Sequence, residues 1–152
     1  MKKSQTKAAL EALRTVRMMK VSDKEVRNDL IANHMVLFDD MDKYEKQAKK
    51  LEAVYLGAFE EDRKKVGQIQ NEFRMETDPK KKNEILQKLN GDEFKELNKA
   101  WEVYADEMNK LGNEEVVGLK PIDREKFIAA IADAEIEFQQ LEALYPMLVS
   151  AE

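Results

Sequence analysis

The chain is expected to be mainly α: a long, coiled-coil-like helical hairpin, a short β segment near residues 115–120, and a C-terminal helix packing back. Three observations predict this. Leu30, His34, Leu37, Met41, Tyr44, Ala48, Leu51, Tyr55 and Ala58 recur by threes and fours with charged residues between them, which is the period of a helix face laid against another helix. No Pro interrupts residues 21–77, so the stretch can form one helix of about 50 residues, roughly 75 Å long at the α-helical rise. Charged residues make up 38% of the 152, against only 5 Gly and 3 Pro, the composition of a long-helix protein. A rod of that length cannot bury its own stripe. The N-terminal helix, the C-terminal helix or a second copy of the chain must cover what the hairpin leaves open.

Residues 5–19 form the first expected helix, with Ala9, Leu10, Leu13, Val16 and Met19 on one face and Ser4 as N-cap. Val21-Ser22-Asp23 then interrupts. Ser22 with Glu25 reads as a capping box opening the rod, and Val21 with Val26 as its hydrophobic staple. After Phe59 the stripe continues through Val66, Ile69 and Phe73, although Asp62 falls where an apolar residue is due. Gly57 and Gly67 each lower helix propensity by about 1 kcal/mol, and either could admit a neighbouring backbone.

Thr77-Asp78-Pro79 ends the rod, with Asp78 as N-cap and Pro79 in the first turn of a short helix. Asn90-Gly91 should close that helix with a left-handed C-cap. Phe94, Leu97, Trp101, Tyr104, Met108 and Leu111 again alternate by threes and fours, marking the antiparallel partner of the rod. Glu115 to Ile122 is the one β-like stretch. Asp123 caps a last helical region whose buried side is marked by Phe127, Ile128, Ile131, Phe138, Leu141, Leu144 and Tyr145, with a break at Ala132-Asp133. No linker or internal repeat divides the chain, so residues 1–152 are expected as a single helical domain.

Composition excludes several classes of chemistry. There are no cysteines, which removes disulfides, zinc–thiolate sites, iron–sulfur clusters and thiol nucleophiles. The formal net charge of −5 and the short basic clusters at Lys43–Lys50 and Lys80–Lys82 do not make a general nucleic-acid surface. Met1-Lys2-Lys3 opens like a signal peptide, yet polar Ser4–Lys7 follows instead of an apolar region. No stretch approaches the length of a membrane span. A soluble, cytoplasmic protein is expected.

Candidate chemistry is sparse. His34 is the only histidine and lies on the rod's stripe, where it reads as a seam residue; one His cannot build the paired Glu-x-x-His motifs of a di-iron bundle. Helical pyrophosphohydrolases hold magnesium with acidic pairs three or four residues apart on two facing helices. Glu93 with Glu96, and Glu102 with Asp106, imitate this on one helix whose buried face is already filled, so a solvated face is the simpler reading. The glycines stand singly, leaving no phosphate loop. Trp101 and Tyr104 could stack bases, but their spacing assigns them to packing.

The order of features resembles a family of small phage and prophage proteins of unknown function, over roughly residues 10 to 149. The resemblance rests on Tyr44-Glu45-Lys46 and Leu51 in the long helix, then on Asp92-Glu93-Phe94 with Glu96-Leu97. Glu115-Val116-Val117 through Pro121-Ile122, and Leu141-Glu142-Ala143-Leu144-Tyr145-Pro146-Met147-Leu148, complete it. Members of that family open with a short strand and an Asn, whereas this chain opens with a Lys-rich, helix-forming segment. Pairing of an N-terminal strand with Val116–Leu119 is therefore an open question. The resemblance implies no activity, cofactor or functional residue.

The expected function is that of a non-enzymatic interaction or assembly protein, phage- or prophage-related, acting through helical surfaces. Its partner is a protein, with a homodimer among the options. Val116, Val117 and Leu119 are the candidate contact, by strand-edge pairing. No catalytic residue, metal, cofactor, membrane or nucleic acid is expected. The alternatives are a metal-dependent nucleotide pyrophosphohydrolase of helical type, which needs carboxylates converging from two helices, and a nucleic-acid-binding accessory factor, which needs a basic stripe through Lys43, Lys46 and Lys50.

Overall fold

The helical periods form helices where they are expected in the computed structural model, which describes residues 1–150 and is mainly α. The elements are α1 (Thr6–Thr15), α2 (Lys24–Leu56), α3 (Glu60–Met75), α4 (Pro79–Leu89), α5 (Lys95–Asn113), β1 (Ile122–Asp123), α6 (Arg124–Ala130), α7 (Phe138–Leu144) and β2 (Leu148–Val149). Only a 3-10 turn, Gly57–Phe59, interrupts the helix between Lys24 and Met75. Contacts gather into two compact units: Met1–Lys46 with the chain from Lys110 onward, and Gln47–Asn109. The single helical domain expected over residues 1–152 is thus organised internally as two units.

The first unit holds the main core. Leu10 and Leu13 of α1, Val26, Leu30 and Leu37 of α2, Phe127 of α6 and Leu144 of α7 are all buried in one cluster. α7 folds back along α1 as expected, and the Gln140 amide there donates to the Thr15 hydroxyl at 2.8 Å. The cap of α2 is Asp23, whose Oδ1 accepts from the Glu25 and Val26 amides at 2.8 and 3.0 Å. Ser22 turns away, its hydroxyl donating to the Ala130 carbonyl. α1 ends at Thr15, and Val16 is extended, so the phase that would have buried Met19 is lost and Met19 is exposed. Ser4 lies in a 3-10 turn, Lys3–Gln5, and caps nothing.

The β segment also differs from expectation. Glu115 makes an isolated antiparallel bridge with Lys2, supported by Lys3 N–H to Glu114 O at 2.8 Å and Val116 N–H to Met1 O at 2.9 Å. The N-terminal pairing left open by the resemblance therefore exists, as a clasp rather than a strand. A Cβ on Gly112 would lie 3.3 Å from the Ser4 side chain, so glycine permits the N-terminal turn to sit against the end of α5. The sheet itself forms slightly later, with Ile122 opposite Leu148 and Asp123 opposite Val149 in parallel register. A strand needs a partner, and only residues 122–123 meet the C-terminal tail.

α6 and α7 are separated by a turn in which Glu135 adopts φ 51°. Asp123 caps α6 by accepting from the Lys126 amide. At α7, Glu137 and Gln140 form the capping box. The turn resets the helical phase, so Phe138 and Tyr145, expected inside, are exposed while Leu144 remains buried; on α6 Ile128, also expected inside, is exposed next to buried Phe127.

The second unit is a helical hairpin extended by α4. Leu56, Phe94 and Leu97 are its buried cluster, flanked by half-buried Tyr55, Phe59, Val66, Ile69, Ala100 and Tyr104. Lys65 pairs with Glu93 at 2.7 Å, and the Arg63 guanidinium lies 5.9 Å from the Trp101 ring centroid. These contacts set the start of α3 beside residues 93–101. Trp101 is edge-on to Tyr104 at 5.6 Å and sits at the rim rather than inside. Asp78 caps α4 from the side chain with Pro79 in its first turn, as expected. Gly91 has φ −71°, so α4 ends without the left-handed cap.

Candidate functional site

The acidic residues singled out in the sequence do not converge. Glu93 is engaged by Lys65, and Glu96 by Lys99 at 2.8 Å, all four largely exposed. The Lys99 ammonium draws the Glu96 carboxyl below its usual range, and Glu93 raises Lys65. Glu60 and Glu61 share Lys64, whose pKa rises first through its hydrogen bond to Glu61. These are solvated helix-surface pairs. Among the described residues no group of three or more His, Asp or Glu side chains is placed to hold a metal ion. Asp62 and His34 are each half-buried.

The strand-edge candidate splits. Val116 is buried in the main core and its amide already donates to Met1. Leu119 is half-buried against the same core. Val117 alone projects, 87% exposed. Next to it Gly118 has φ +94°, a conformation that favours glycine. The segment ends in a clamp: fully buried Asn33 donates from Nδ2 to the Lys120 carbonyl at 2.9 Å and accepts the Lys120 amide at 2.7 Å. The amide side chain satisfies the backbone as a neighbouring strand would. A free edge is therefore not what this segment offers; it is one projecting valine on a pinned loop. Sequence reasoning overlooked Asn33, although its position three residues after Leu30 and four before Leu37 places a polar amide on a buried helix face.

The surface that reasoning also overlooked is the opposite side of α2. Ile31, Met35 and Phe38 are 45%, 66% and 55% exposed. At spacings of four and three they form one stripe, beside a cleft lined by Leu10, Phe38, Met41, Asp42 and Glu45 with Lys7 and Arg14. Extended by the same spacing, the stripe begins with Lys24 and Arg27 and ends with Asp42 and Glu45. It is basic, then apolar, then acidic. A second apolar shelf on the same unit, lined by Phe138, Leu141 and Tyr145, lies under the Arg124 guanidinium, 4.7 Å from the Tyr145 ring centroid.

No family model matches the chain, and no curated protein or solved structure is similar to it. Among the described residues no helix is long and apolar enough to cross a membrane.

Proposed function

We propose that the chain is a non-enzymatic interaction or assembly protein that acts through helical surfaces, in the cytoplasm, and that it is related to the phage and prophage proteins its motifs resemble. One observation carries this reading. Ile31, Met35 and Phe38 stand in a continuous row on α2, although the other face of the same helix supplies Leu30 and Leu37 to a closed core. Scattered surface apolars need no explanation, but an aligned row bordered by charge is the composition of a docking face. The scattered, ion-paired carboxylates support the same view, because hydrolysis of a nucleotide needs them together.

A photo-cross-linking residue at Met35, in cells that express the chain, tests the reading. A discrete adduct is expected from position 35 and none from exposed Glu25, which lies off the stripe. Absence of any adduct at 35, or release of phosphate from nucleotides by the purified chain with magnesium, would overturn it.

A further inference from the structure

We infer that the occupant of the α2 stripe is a second copy of this chain, lying antiparallel along it. The inference rests on the interaction reading above and names its partner. Lys24, Arg27, Ile31, Met35, Phe38, Asp42 and Glu45 follow one another by threes and fours along one face of α2. Their chemistry is ordered. Two cations lie at the N-terminal end, three apolar side chains in the middle and two anions at the C-terminal end.

A partner helix must therefore present acid, then apolar, then base when read in the opposite direction. This helix presents that order itself. The registry also closes: Lys24 pairs with Glu45, Arg27 with Asp42 and Ile31 with Phe38 about one common centre, between His34 and Met35. A single two-fold axis at that point satisfies all the pairs at once and sets His34 of each copy against Met35 of the other. This is the isologous geometry expected of a symmetric dimer. Parallel alignment would instead place cation on cation and anion on anion. Antiparallel alignment also opposes the helix dipoles favourably.

The charged ends are available for this. Lys24 and Glu45 are exposed, and Asp42 is held only by Lys46 on its own helix, at 2.6 Å between exposed side chains. Arg27 is half-buried. From Lys24 to Glu45 the contact runs about 32 Å along one helix. A strip of that length and about 10 Å wide covers roughly 320 Å², well under the ~800 Å² per partner of a standard interface, so the dimer is weak and depends on concentration.

The decisive experiment is sedimentation equilibrium across a wide concentration range. It uses the wild type, an acidic variant (Lys24→Glu with Arg27→Glu) and a basic variant (Asp42→Lys with Glu45→Lys). Circular dichroism establishes that each is folded. The wild type is expected to reach twice its 17.7 kDa mass reversibly. Each variant alone places like charges opposite each other and should dissociate at least about tenfold more readily. An equimolar mixture of the two should restore the dimer, because every pair then meets its opposite. As a second readout, Met35→Cys, in a chain with no cysteine of its own, should be bridged between copies by a short bis-maleimide, whereas Glu25→Cys should not. A wild type that is monomeric throughout, or a mixture that gives no rescue, overturns the second-copy inference. If the Met35 photoadduct then contains a different protein, the interaction reading stands without it; if there is no adduct, both fall.

Discussion

The two units differ in how their helices are covered. In the unit built from Met1–Lys46 and the chain from Lys110 onward, α1, α2, α6 and α7 meet from several directions and close over a cluster that includes Leu13, Leu30, Leu37, Phe127 and Leu144. In Gln47–Asn109, the same kind of amphipathic helix buries Leu56, Phe94 and Leu97, while other residues of its apolar row are half-buried or, at Trp101, exposed. The periodic pattern runs through both, interrupted in the second at Asp62. Regular spacing brings an apolar face into line, but the depth of burial depends on how many other elements arrive to cover it.

The largest effect that would test this contrast is expected at Phe127, buried among elements far apart in sequence. Phe127→Ala should destabilise the first unit by about 3–5 kcal/mol, read from denaturant unfolding. Phe94→Ala, in the thinner cluster, should fall near the low end of that range, about 3 kcal/mol. Its hydrogen-exchange losses should be confined to residues 47–109. Equal losses in both places would remove the distinction between the units.

Asn33→Leu comes next. It leaves the Lys120 amide and carbonyl without the partners they have in the clamp, an expected loss of about 1–3 kcal/mol. Faster amide exchange from Val116 to Lys120 would localise it.

A gain is expected at Gly67, where an added Cβ would meet nothing within 4 Å. Gly67→Ala should stabilise α3 by up to about 1 kcal/mol, seen as a higher midpoint of unfolding for the second unit. A loss there would mean that something packs against this face.

The smallest effect concerns pH. Glu76 accepts the amides of Thr77 and Asp78 at 2.8 and 2.9 Å, chiefly the Asp78 bond holding its carboxyl below the ordinary 4.5. A carboxyl with a lowered folded pKa contributes fully above the unfolded value and loses that contribution as pH falls through the folded one. The turn between α3 and α4 should therefore loosen only below pH 4.5. An NMR titration of the Glu76 side chain checks this, and Glu76→Gln should abolish the local transition.

Much of the architecture was legible because its causes are local. The Asp78-Pro79 and Asp123 caps and the apolar row on α5 follow from residues within a turn or two of where they act. The errors lie where a distant neighbour or a phase change intervened. Ser22 was drawn off by Ala130 and left Asp23 to cap α2. Phe138 and Tyr145 kept helical spacing but lost their place inside when the turn at Glu135 rotated α7. The candidate edge at Val116–Leu119 was closed by Met1 and Asn33, more than eighty residues away in sequence. The α2 stripe is masked in the sequence by the longer row that begins at Leu30 on another face of the same helix.

Sequence alone therefore determined the helices, the caps at Asp78 and Asp123, the mainly α class and the long rod, since backbone propensity and capping act over three or four residues. Only the tertiary structure decided which apolar row became core and which remained a surface. Leu30 and Ile31 are adjacent on α2, and one is buried while the other is 45% exposed. The difference is whether chain from elsewhere in the sequence comes to rest on that face of the helix, and burial is a property of that meeting rather than of either residue.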